Sequence, residues 1–281
     1  MRVAIIGLGL IGGSLGLALK AAGAEVAGYA RRAETASAAL ARGVVDRCGS
    51  DMPSVIKGAD IIIIATPVLT VKDIFTEIAA HMPKGAIVTD VSSTKAEVMK
   101  WAGECLPDKA CFIGGHPMAG KEVAGIAAAD ADLFRGCTYC LIPGSNVKHV
   151  QRGKMEDMVK AVGAKPFYID AQEHDELVAA VSHLPHLLSV ALVASTVENP
   201  RWTAMSRLAS SGYRDTTRLA SGDPRMSRDI CLTNRELIVE ALDRYIDSLK
   251  ELRRLVNSGD EKIEESFIEA RKAREDWLRQ R

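Results

Sequence analysis

Short apolar runs alternate with helix-like patterns through the first 170 residues of the chain. A short continuous apolar run is typical of a buried strand, whereas apolar residues spaced by three and four indicate a helix. The pattern predicts strands at 2–6, 25–29, 61–65, 86–91, 111–114, 137–142 and 166–169. It predicts helices at 13–22, 33–42, 71–82, 94–105 and 147–162, the fourth of them capped by Thr94 together with Glu97. This alternation indicates an α/β fold with a doubly wound, mostly parallel sheet of the Rossmann type.

From residue 171 onward the pattern contains no convincing strand. A long apolar-striped helix is expected from Glu173 to Val197, with a kink at Pro185, and further long helices are expected at 229–255 and 262–279. We therefore predict two domains: an α/β domain over residues 1–170 and an all-helical domain over residues 171–281.

The first predicted strand runs directly into Gly7-Leu8-Gly9-Leu10-Ile11-Gly12. In this spacing the first glycine allows a sharp turn, the second lets a pyrophosphate approach the backbone, and the third lets the helix pack close to the strand. The free N–H groups at the start of the helix then face the anion. We therefore predict that residues 7–12 bind a dinucleotide; a tight turn without a ligand is the alternative.

The end of the second strand bears on which nicotinamide dinucleotide is preferred. A fold of this kind that prefers NAD usually has Asp or Glu there to hold the ribose 2′-hydroxyl, whereas this chain has Ala30-Arg31-Arg32. A guanidinium group matches a phosphate through paired hydrogen bonds. The sequence therefore favours NADP over NAD; the alternative is that both arginines are solvated surface residues.

Composition and charge exclude several other classes of protein. Lys and Arg number 36, as do Asp and Glu, so the formal net charge is zero and indicates neither nucleic-acid binding nor an anionic membrane surface. The longest apolar runs are too short to span a bilayer, and the N-terminus reads as a core strand rather than a secretory signal. Cys137 and Cys140 have C-x-x-C spacing, but in a strand they point to opposite faces, which argues against a metal or a disulfide. We expect a reduced, cytoplasmic protein without nucleic-acid or membrane partners.

Polar residues follow three of the predicted strands at their carboxyl ends, where a sheet of this type binds its ligands. They are Thr66-Pro67, Ser92-Ser93 and His116. We assign Thr66, Pro67 and Ser92 to the cofactor. His116 stands among glycine and small residues, so we expect it to be accessible and able to take a proton from a hydroxyl group during oxidation. The alternative is that His116 only makes hydrogen bonds within its own loop.

His183 and His186 share one face of a predicted helix because they are three residues apart. No carboxylate or further histidine follows at ligand spacing, so a metal site is disfavoured and we expect a polar pair that faces the crevice; a structural role is the alternative. The segment from Ser211 to Arg218 bears Arg214 and Arg218, which suit an anionic substrate. A charged loop is the alternative there.

Five motifs occur in order along nearly the whole chain: Gly7–Gly12, Asp90–Lys95, Gly115–Gly120, Ser182–His186 and Tyr213–Arg218. Together they resemble the motifs of the prephenate and arogenate dehydrogenases, the oxidoreductases of tyrosine biosynthesis. The resemblance implies an oxidative decarboxylation in which NAD(P)+ takes a hydride from the ring carbon that bears the hydroxyl. The ring carboxylate leaves as CO₂, and the ring becomes aromatic.

The resemblance also implies roles for single residues. His116 accepts the hydroxyl proton or its hydrogen bond, supported by Ser93. Arg218 holds the substrate carboxylate, and Glu122 is a gate that pairs with Arg218. The substrate contacts from the helical domain, which also forms a homodimer, are Ser182, His183 and His186. The family often has Trp nine residues after the arginine that matches Arg218; here Ser227 stands there, so the choice between prephenate and arogenate stays open.

Two other functions stay open as alternatives. A β-hydroxyacid or 6-phosphogluconate type of dehydrogenase has the same layout but relies on a catalytic lysine in its helical domain, and residues 173–195 contain no lysine. A non-catalytic, dinucleotide-sensing module would not need His116, His186 and Arg218 together.

Overall fold

The structure, a computed structural model, describes residues 1–280. Its eight strands are β1 (Arg2–Ile6), β2 (Glu25–Tyr29), β3 (Arg47–Cys48), β4 (Ile61–Ile64), β5 (Ile87–Asp90), β6 (Cys111–Pro117), β7 (Thr138–Pro143) and β8 (Lys165–Tyr168). They form one sheet in the order β3-β2-β1-β4-β5-β6-β7-β8. Every neighbouring pair is parallel except β6 and β7. The strand order reverses between β1 and β4, so the predicted doubly wound α/β fold is confirmed.

Helices on both faces connect these strands. They are α1 (Leu10–Ala21), α2 (Ala33–Ala41), α3 (Met52–Ile56), α4 (Val71–Ala79), α5 (Ala96–Cys105) and α6 (His149–Ala161). The chain from residue 171 is helical, with α7 (Ala171–Val178), α8 (Leu184–Val197), α9 (Trp202–Leu208), α10 (Ser211–Thr217), α11 (Pro224–Thr233), α12 (Arg235–Ser258) and α13 (Ile263–Arg279). The structure assigns no strand within residues 171–280, as predicted.

The central strands are buried on both faces, which explains their continuous apolar sequences. In β4, Ile61 and Ile63 belong to the core layer that includes Leu15 and Leu19 of α1. Ile62 and Ile64 point into the opposite layer, which includes residues of α3 and α4. Because alternate side chains are locked into two separate cores, the register of the strand ends is fixed, and the residues that follow them are placed precisely.

β6 runs past its predicted end at Gly114 and includes His116. The reason is β7, which runs antiparallel and pairs Cys140 with His116. Glycine at position 115 serves close packing, since a Cβ there would lie 2.5 Å from the carbonyl oxygen of Asp90. Gly115 therefore marks the close approach of β5 rather than the end of the strand.

Two predicted helices are interrupted. Ala179–His183 form a π-helical turn between α7 and α8, and Pro185 lies in the first turn of α8 instead of kinking a continuous helix. The helix predicted at 229–255 breaks at Asn234, between α11 and α12. The Asn234 side-chain amide donates to the carbonyl oxygen of Asp175 at 2.8 Å, so the side chain makes a tertiary hydrogen bond where the helix ends.

The chain divides into two compact units, residues 1–235 and residues 236 onward. The first holds the sheet together with α7 to α11. The second consists of most of α12 together with α13, and several of its large apolar side chains are exposed, among them Ile246, Leu249, Phe267 and Trp277. The predicted domain boundary at residue 170, where the strands give way to helices, stays a prediction.

The segment Ala171–Val197 contains an 18-residue window of mean hydropathy 1.9, so by length and composition it is apolar enough to cross a membrane. The expectation that every apolar run is too short is therefore wrong for this segment. However, the π-helical turn interrupts it, and His174, Asp175 and His183 within it are buried and hydrogen-bonded to residues outside the segment. Within the structure, 22% of that window is buried.

Candidate active site

The glycine turn between β1 and α1 is shaped to receive an anion. Gly7 has a φ of 100°, and a Cβ at Gly12 would lie 1.9 Å from the Gly7 carbonyl oxygen, so both glycines are required by the fold. Gly9 differs, because a Cβ there would meet nothing within 4 Å. Gly9 is also the N-cap of α1 and provides no side-chain cap. Open space therefore lies over an uncapped helix start, which fits the pyrophosphate of a dinucleotide. The intervening residues are the buried Leu8 and the half-buried Leu10 and Ile11.

The residues after β2 and β4 adjoin this turn. Arg31 and Arg32 are exposed, and within residues 1–280 neither side chain makes a hydrogen bond or ion pair. Ala30 before them is half-buried. Thr66 and Pro67 follow β4, and the Thr66 side chain lies beside the first glycine of the turn. The two guanidinium groups thus have no partner within residues 1–280 and can bind an anion.

A buried ion pair lies where β5 ends. Asp90 and Lys95 are each 0% exposed and form an ion pair. The Lys95 ammonium also donates to the Gly115 carbonyl oxygen at 2.7 Å. Asp90 accepts the backbone N–H groups of Gly115 at 3.1 Å and of Ser92 at 2.9 Å. Burial lowers the pKa of Lys95, against the attraction of Asp90. The pair fixes the backbone of β6 immediately before His116.

Two serine hydroxyls beside this pair have no partner in the described chain. The Ser92 hydroxyl is enclosed and makes no hydrogen bond within residues 1–280. Ser93 is half-buried, and its hydroxyl likewise makes none there. A buried hydroxyl without a partner is costly, so a bound ligand is the natural partner for these groups.

His116 is buried rather than accessible, with 8% of its surface exposed. Its Nδ1 lies 2.9 Å from Nε2 of His174, and Nδ1 of His174 lies 2.7 Å from the Asp175 carboxylate. His116 Nε2 makes no hydrogen bond within residues 1–280, yet it is not among the fully enclosed unpartnered atoms. One ring nitrogen is therefore held by the protein while the other remains open to a ligand.

The pKa of His116 is lowered well below 6.5, first by burial and then by repulsion from His174, Lys95 and His183. The ring is consequently neutral at physiological pH and can accept a hydrogen bond or a proton.

The N-terminus of α5 is capped from outside the sheet. The helix begins at Ala96, and Thr94 does not cap it, contrary to the prediction. Instead the Asp175 carboxylate accepts the backbone N–H groups of Lys95 at 2.7 Å and of Ala96 at 2.8 Å. The Thr94 hydroxyl lies 2.8 Å from that of Thr233 in α11. These contacts dock the helical residues against the carboxyl end of β5.

The π-helical turn encloses His183. It is 4% exposed, the Asn234 amide donates to its Nδ1 at 3.3 Å, and its Nε2 is enclosed without a partner among residues 1–280. Burial lowers its pKa to about 4. His183 is thus buried, and its contact with the substrate stays a prediction. Ser182 beside it is half-buried, and within the described residues its hydroxyl makes no hydrogen bond.

His186 and Arg218 lie on neighbouring parts of the helical segment. His186 Nε2 is 2.9 Å from the Ser227 hydroxyl. The Ser189 hydroxyl of α8 donates to the Thr217 carbonyl oxygen at 3.2 Å, which holds the residue before Arg218 against α8. Arg218 forms an ion pair with Glu122, and both side chains are partly exposed. The predicted pairing of Arg218 with Glu122 is thus present.

No group of three or more His, Cys, Asp or Glu residues within positions 1–280 could hold a metal ion. His183 and His186 are hydrogen-bonded to different side chains, Asn234 and Ser227. Cys137 and Cys140 are free thiols.

Two family models match the chain, one after the other. The nucleotide-binding domain of prephenate dehydrogenase matches residues 15–168, and the dimerization domain of prephenate dehydrogenase matches residues 170–272. The chain belongs to the prephenate dehydrogenase family. As a member it is an oxidoreductase with a site for a nicotinamide dinucleotide, as the sequence predicted.

Similar proteins of this family are known from several organisms. The chain is 36% identical over 262 residues to a prephenate dehydrogenase of Bacillus subtilis, covering 92% of this chain and 71% of that one. The solved arogenate dehydrogenase of Synechocystis is 30% identical with a TM-score of 0.84, covering 99% of this chain and 100% of that one. The prephenate dehydrogenase of Aquifex aeolicus, solved with hydroxyphenyl propionate and NAD+, is 29% identical with a TM-score of 0.91, covering 98% of both chains.

Several residues of the candidate site were not predicted from the sequence as site residues. Asp90 and Lys95 carried a usable signal, because a charged residue closes an apolar strand and a second charge follows five residues later. His174 and Asp175 carried none, since they lie 58 residues or more beyond His116 in a separate helix. Only the docking of α7 on the sheet brings them together.

Proposed function

We propose that the chain catalyses the oxidative decarboxylation of prephenate, arogenate or both, with NADP+ as the preferred hydride acceptor. The observation that carries this proposal is His116, a neutral buried histidine with one open nitrogen at the carboxyl edge of a dinucleotide-binding sheet. The glycine turn, with open space over Gly9, fits the cofactor.

The cofactor, when bound, accepts the hydride from the ring carbon that bears the hydroxyl. The bond to the ring carboxylate breaks, its electron pair completes the aromatic ring, and CO₂ leaves. Because the product is a phenol, no net proton is lost. His116 Nε2 accepts the hydrogen bond of the hydroxyl as positive charge develops at its carbon, and Ser93 supports this contact.

Charged and polar groups orient the substrate. Arg218 is exposed enough to bind the remaining carboxylate, and its present partner Glu122 would give way as a gate. Ser182 and His186 contact the substrate from the helical side. These contacts act mainly by positioning the ring carbon that carries the hydride.

The preference for NADP+ rests on Arg31 and Arg32, whose side chains are exposed and uncommitted within residues 1–280. Arg31→Ala should weaken NADP+ binding by about 10-fold or more, since a charge-assisted hydrogen bond contributes about 1.5–3 kcal/mol, and should leave NAD+ binding nearly unchanged. Arg135→Ala, at an exposed arginine that forms an ion pair with Asp132, is the control. Equal loss for both cofactors, or none for either, would refute the 2′-phosphate contact.

We further propose a cytoplasmic homodimer. The six cysteines are free, and large apolar side chains lie exposed on α8, α12 and α13, including Val190, Leu249 and Phe267. Such surface is usually covered by a partner subunit. Light scattering coupled to size-exclusion chromatography tests this, and a mass of 30.2 kDa, that of one chain, would contradict it.

The first experiment is an initial-rate grid of prephenate or arogenate with NAD+ or NADP+, followed by the absorbance of the reduced cofactor. Turnover in any combination supports the reaction, and the fastest one names the substrate and cofactor. His116→Asn should lose turnover while retaining cofactor affinity, and His149→Asn, at an exposed histidine of α6, is its matched control. If the protein is folded and binds the cofactor but shows no turnover in any of the four combinations, the proposal is overturned.

A further inference from the structure

A chain of three buried side chains ends at the open nitrogen of His116. His116, His174 and Asp175 are 8%, 1% and 1% exposed. The contacts run from His116 Nδ1 to His174 Nε2 at 2.9 Å, and from His174 Nδ1 to Asp175 Oδ1 at 2.7 Å. The two rings meet edge to face at 70°, with centroids 5.1 Å apart.

The direction of these hydrogen bonds follows from their far end. Asp175 Oδ1 also accepts the backbone N–H of Lys95, and Oδ2 accepts that of Ala96, so the carboxylate acts as the acceptor throughout. A neutral His174 therefore carries its proton on Nδ1, which leaves a lone pair on Nε2. That lone pair accepts the proton on Nδ1 of His116. A neutral His116 then has its own lone pair on Nε2, the nitrogen without a protein partner.

We propose that His174 and Asp175 are positioning residues that hold His116 in the Nδ1–H tautomer, with the Nε2 lone pair presented to the substrate hydroxyl. The proposal rests on the proposed function in one respect, namely that His116 Nε2 is the acceptor. A partner that fixes which nitrogen of a reactive histidine carries the proton is a general requirement for such a group.

The surroundings of His116 favour the neutral ring that this tautomer requires. The ionisable groups that face it are His174, His183 and the Lys95 ammonium. None of them offers a negative charge to stabilise an imidazolium, and Asp175 lies beyond His174. The acceptor form should therefore persist below pH 6.5, and the rate should fall only as the pH approaches the lowered pKa of His116.

The direct test reads the tautomer without any turnover. In the full-length protein labelled with ¹⁵N-histidine, two-bond ¹H–¹⁵N correlation spectra at pH 7.5 distinguish protonated from unprotonated ring nitrogens, and His116→Asn assigns the signals. We expect Nδ1 to be protonated and Nε2 unprotonated. A spectrum with the proton on Nε2 of His116 would overturn the proposal whether or not the protein proves to be a prephenate dehydrogenase.

A pair of substitutions at His174 separates positioning from a merely structural role. His174→Leu removes the acceptor, so His116 should show both tautomers and kcat should fall by about 10- to 100-fold with KM and cofactor affinity little changed. His174→Gln keeps an amide oxygen that can accept from His116 and should restore the Nδ1–H tautomer and much of kcat. His149→Leu is the control.

Two outcomes of the substitutions would contradict the proposal. One is an unchanged kcat in His174→Leu. The other is an equal loss in the Leu and Gln variants with the His116 tautomer unaltered, which would assign His174 to packing alone. If either variant fails to bind NADP+ or to melt cooperatively, the spectrum of the unsubstituted protein still decides the assignment.

Discussion

Gly9 and Gly12 offer a matched pair of substitutions that separates cofactor binding from folding. An added Cβ at Gly12 would lie 1.9 Å from the Gly7 carbonyl oxygen and 3.0 Å from the Ala65 Cβ. An added Cβ at Gly9 would meet nothing within 4 Å. The same methyl group is therefore forced into backbone at one position and points into empty space at the other.

The expected magnitudes follow from these distances. Gly12→Ala should cost about 3 kcal/mol or more, the upper end for overpacking, because a backbone carbonyl cannot yield as a side chain does. Gly9→Ala should cost no more than about 1 kcal/mol, because alanine is a poorer N-cap than glycine. In the holoenzyme, however, its methyl group occupies the space proposed for the pyrophosphate. Loss of one charge-assisted hydrogen bond, about 1.5–3 kcal/mol, corresponds to about 10- to 100-fold weaker binding.

The assay combines urea unfolding with titration of NADP+ followed by intrinsic fluorescence. Gly103→Ala is the control, because a Cβ at this exposed position in α5 also meets nothing within 4 Å yet lies in no proposed site. Unchanged NADP+ affinity in Gly9→Ala would refute the placement of the cofactor at the glycine turn. A loss of stability in Gly9→Ala equal to that in Gly12→Ala would refute the structural reasoning.

Three further predictions concern buried charge and substrate binding. Lys95→Met leaves the buried Asp90 carboxylate without its charged partner and should lower the free energy of unfolding by about 3–5 kcal/mol, measured in urea. Adding Asp90→Asn to the same chain should recover part of that loss. A double variant no more stable than Lys95→Met would contradict this. Arg218→Ala should raise the KM for the substrate far more than it alters NADP+ affinity. Glu122→Gln removes the ion-pair partner of Arg218 and should not raise KM. Equal effects of Arg218→Ala on substrate and cofactor would refute the carboxylate contact. The pKa of His183 is lowered to about 4 in the folded state, so the unfolded chain binds this proton more tightly. As the pH falls from 6.5 towards 4, this difference should lower the free energy of unfolding by up to about 3 kcal/mol. The free energy of unfolding of His183→Gln should therefore fall less steeply with pH over this range.

Local pattern was sufficient for most of the sheet, but neither for the two-residue strand β3 (Arg47–Cys48), which contains no continuous apolar run, nor for the centre of the site. The other strands are short runs rich in apolar residues, so their positions follow from sequence alone. The extension of β6 through His116 does not, because the two glycines before it look like a strand end. A Cβ at Gly115 would instead meet the Asp90 backbone of another strand, and a Cβ at Gly114 would lie 3.1 Å from the Met99 sulfur of α5.

The helical half shows the same division between local and tertiary signals. Its apolar spacing predicted helices correctly, whereas the π-helical turn and the break at Asn234 depend on where polar side chains find partners. Asn234 donates to the Asp175 backbone and to His183, both remote in sequence. Propensity cannot anticipate a helix end that is set by a tertiary hydrogen bond.

Asp175 shows why folding and chemistry are coupled in this site. Its Oδ1 accepts both the Lys95 N–H and the His174 ring proton, and its Oδ2 accepts the Ala96 N–H. The same carboxylate therefore starts α5 and, through His174, sets the ring of His116. Because α7 carries both residues, the acceptor nitrogen is oriented only when the helical segment has docked on the sheet. The docking that brings the proposed substrate contacts of the helices to the crevice thus also orients the histidine that we propose as the acceptor.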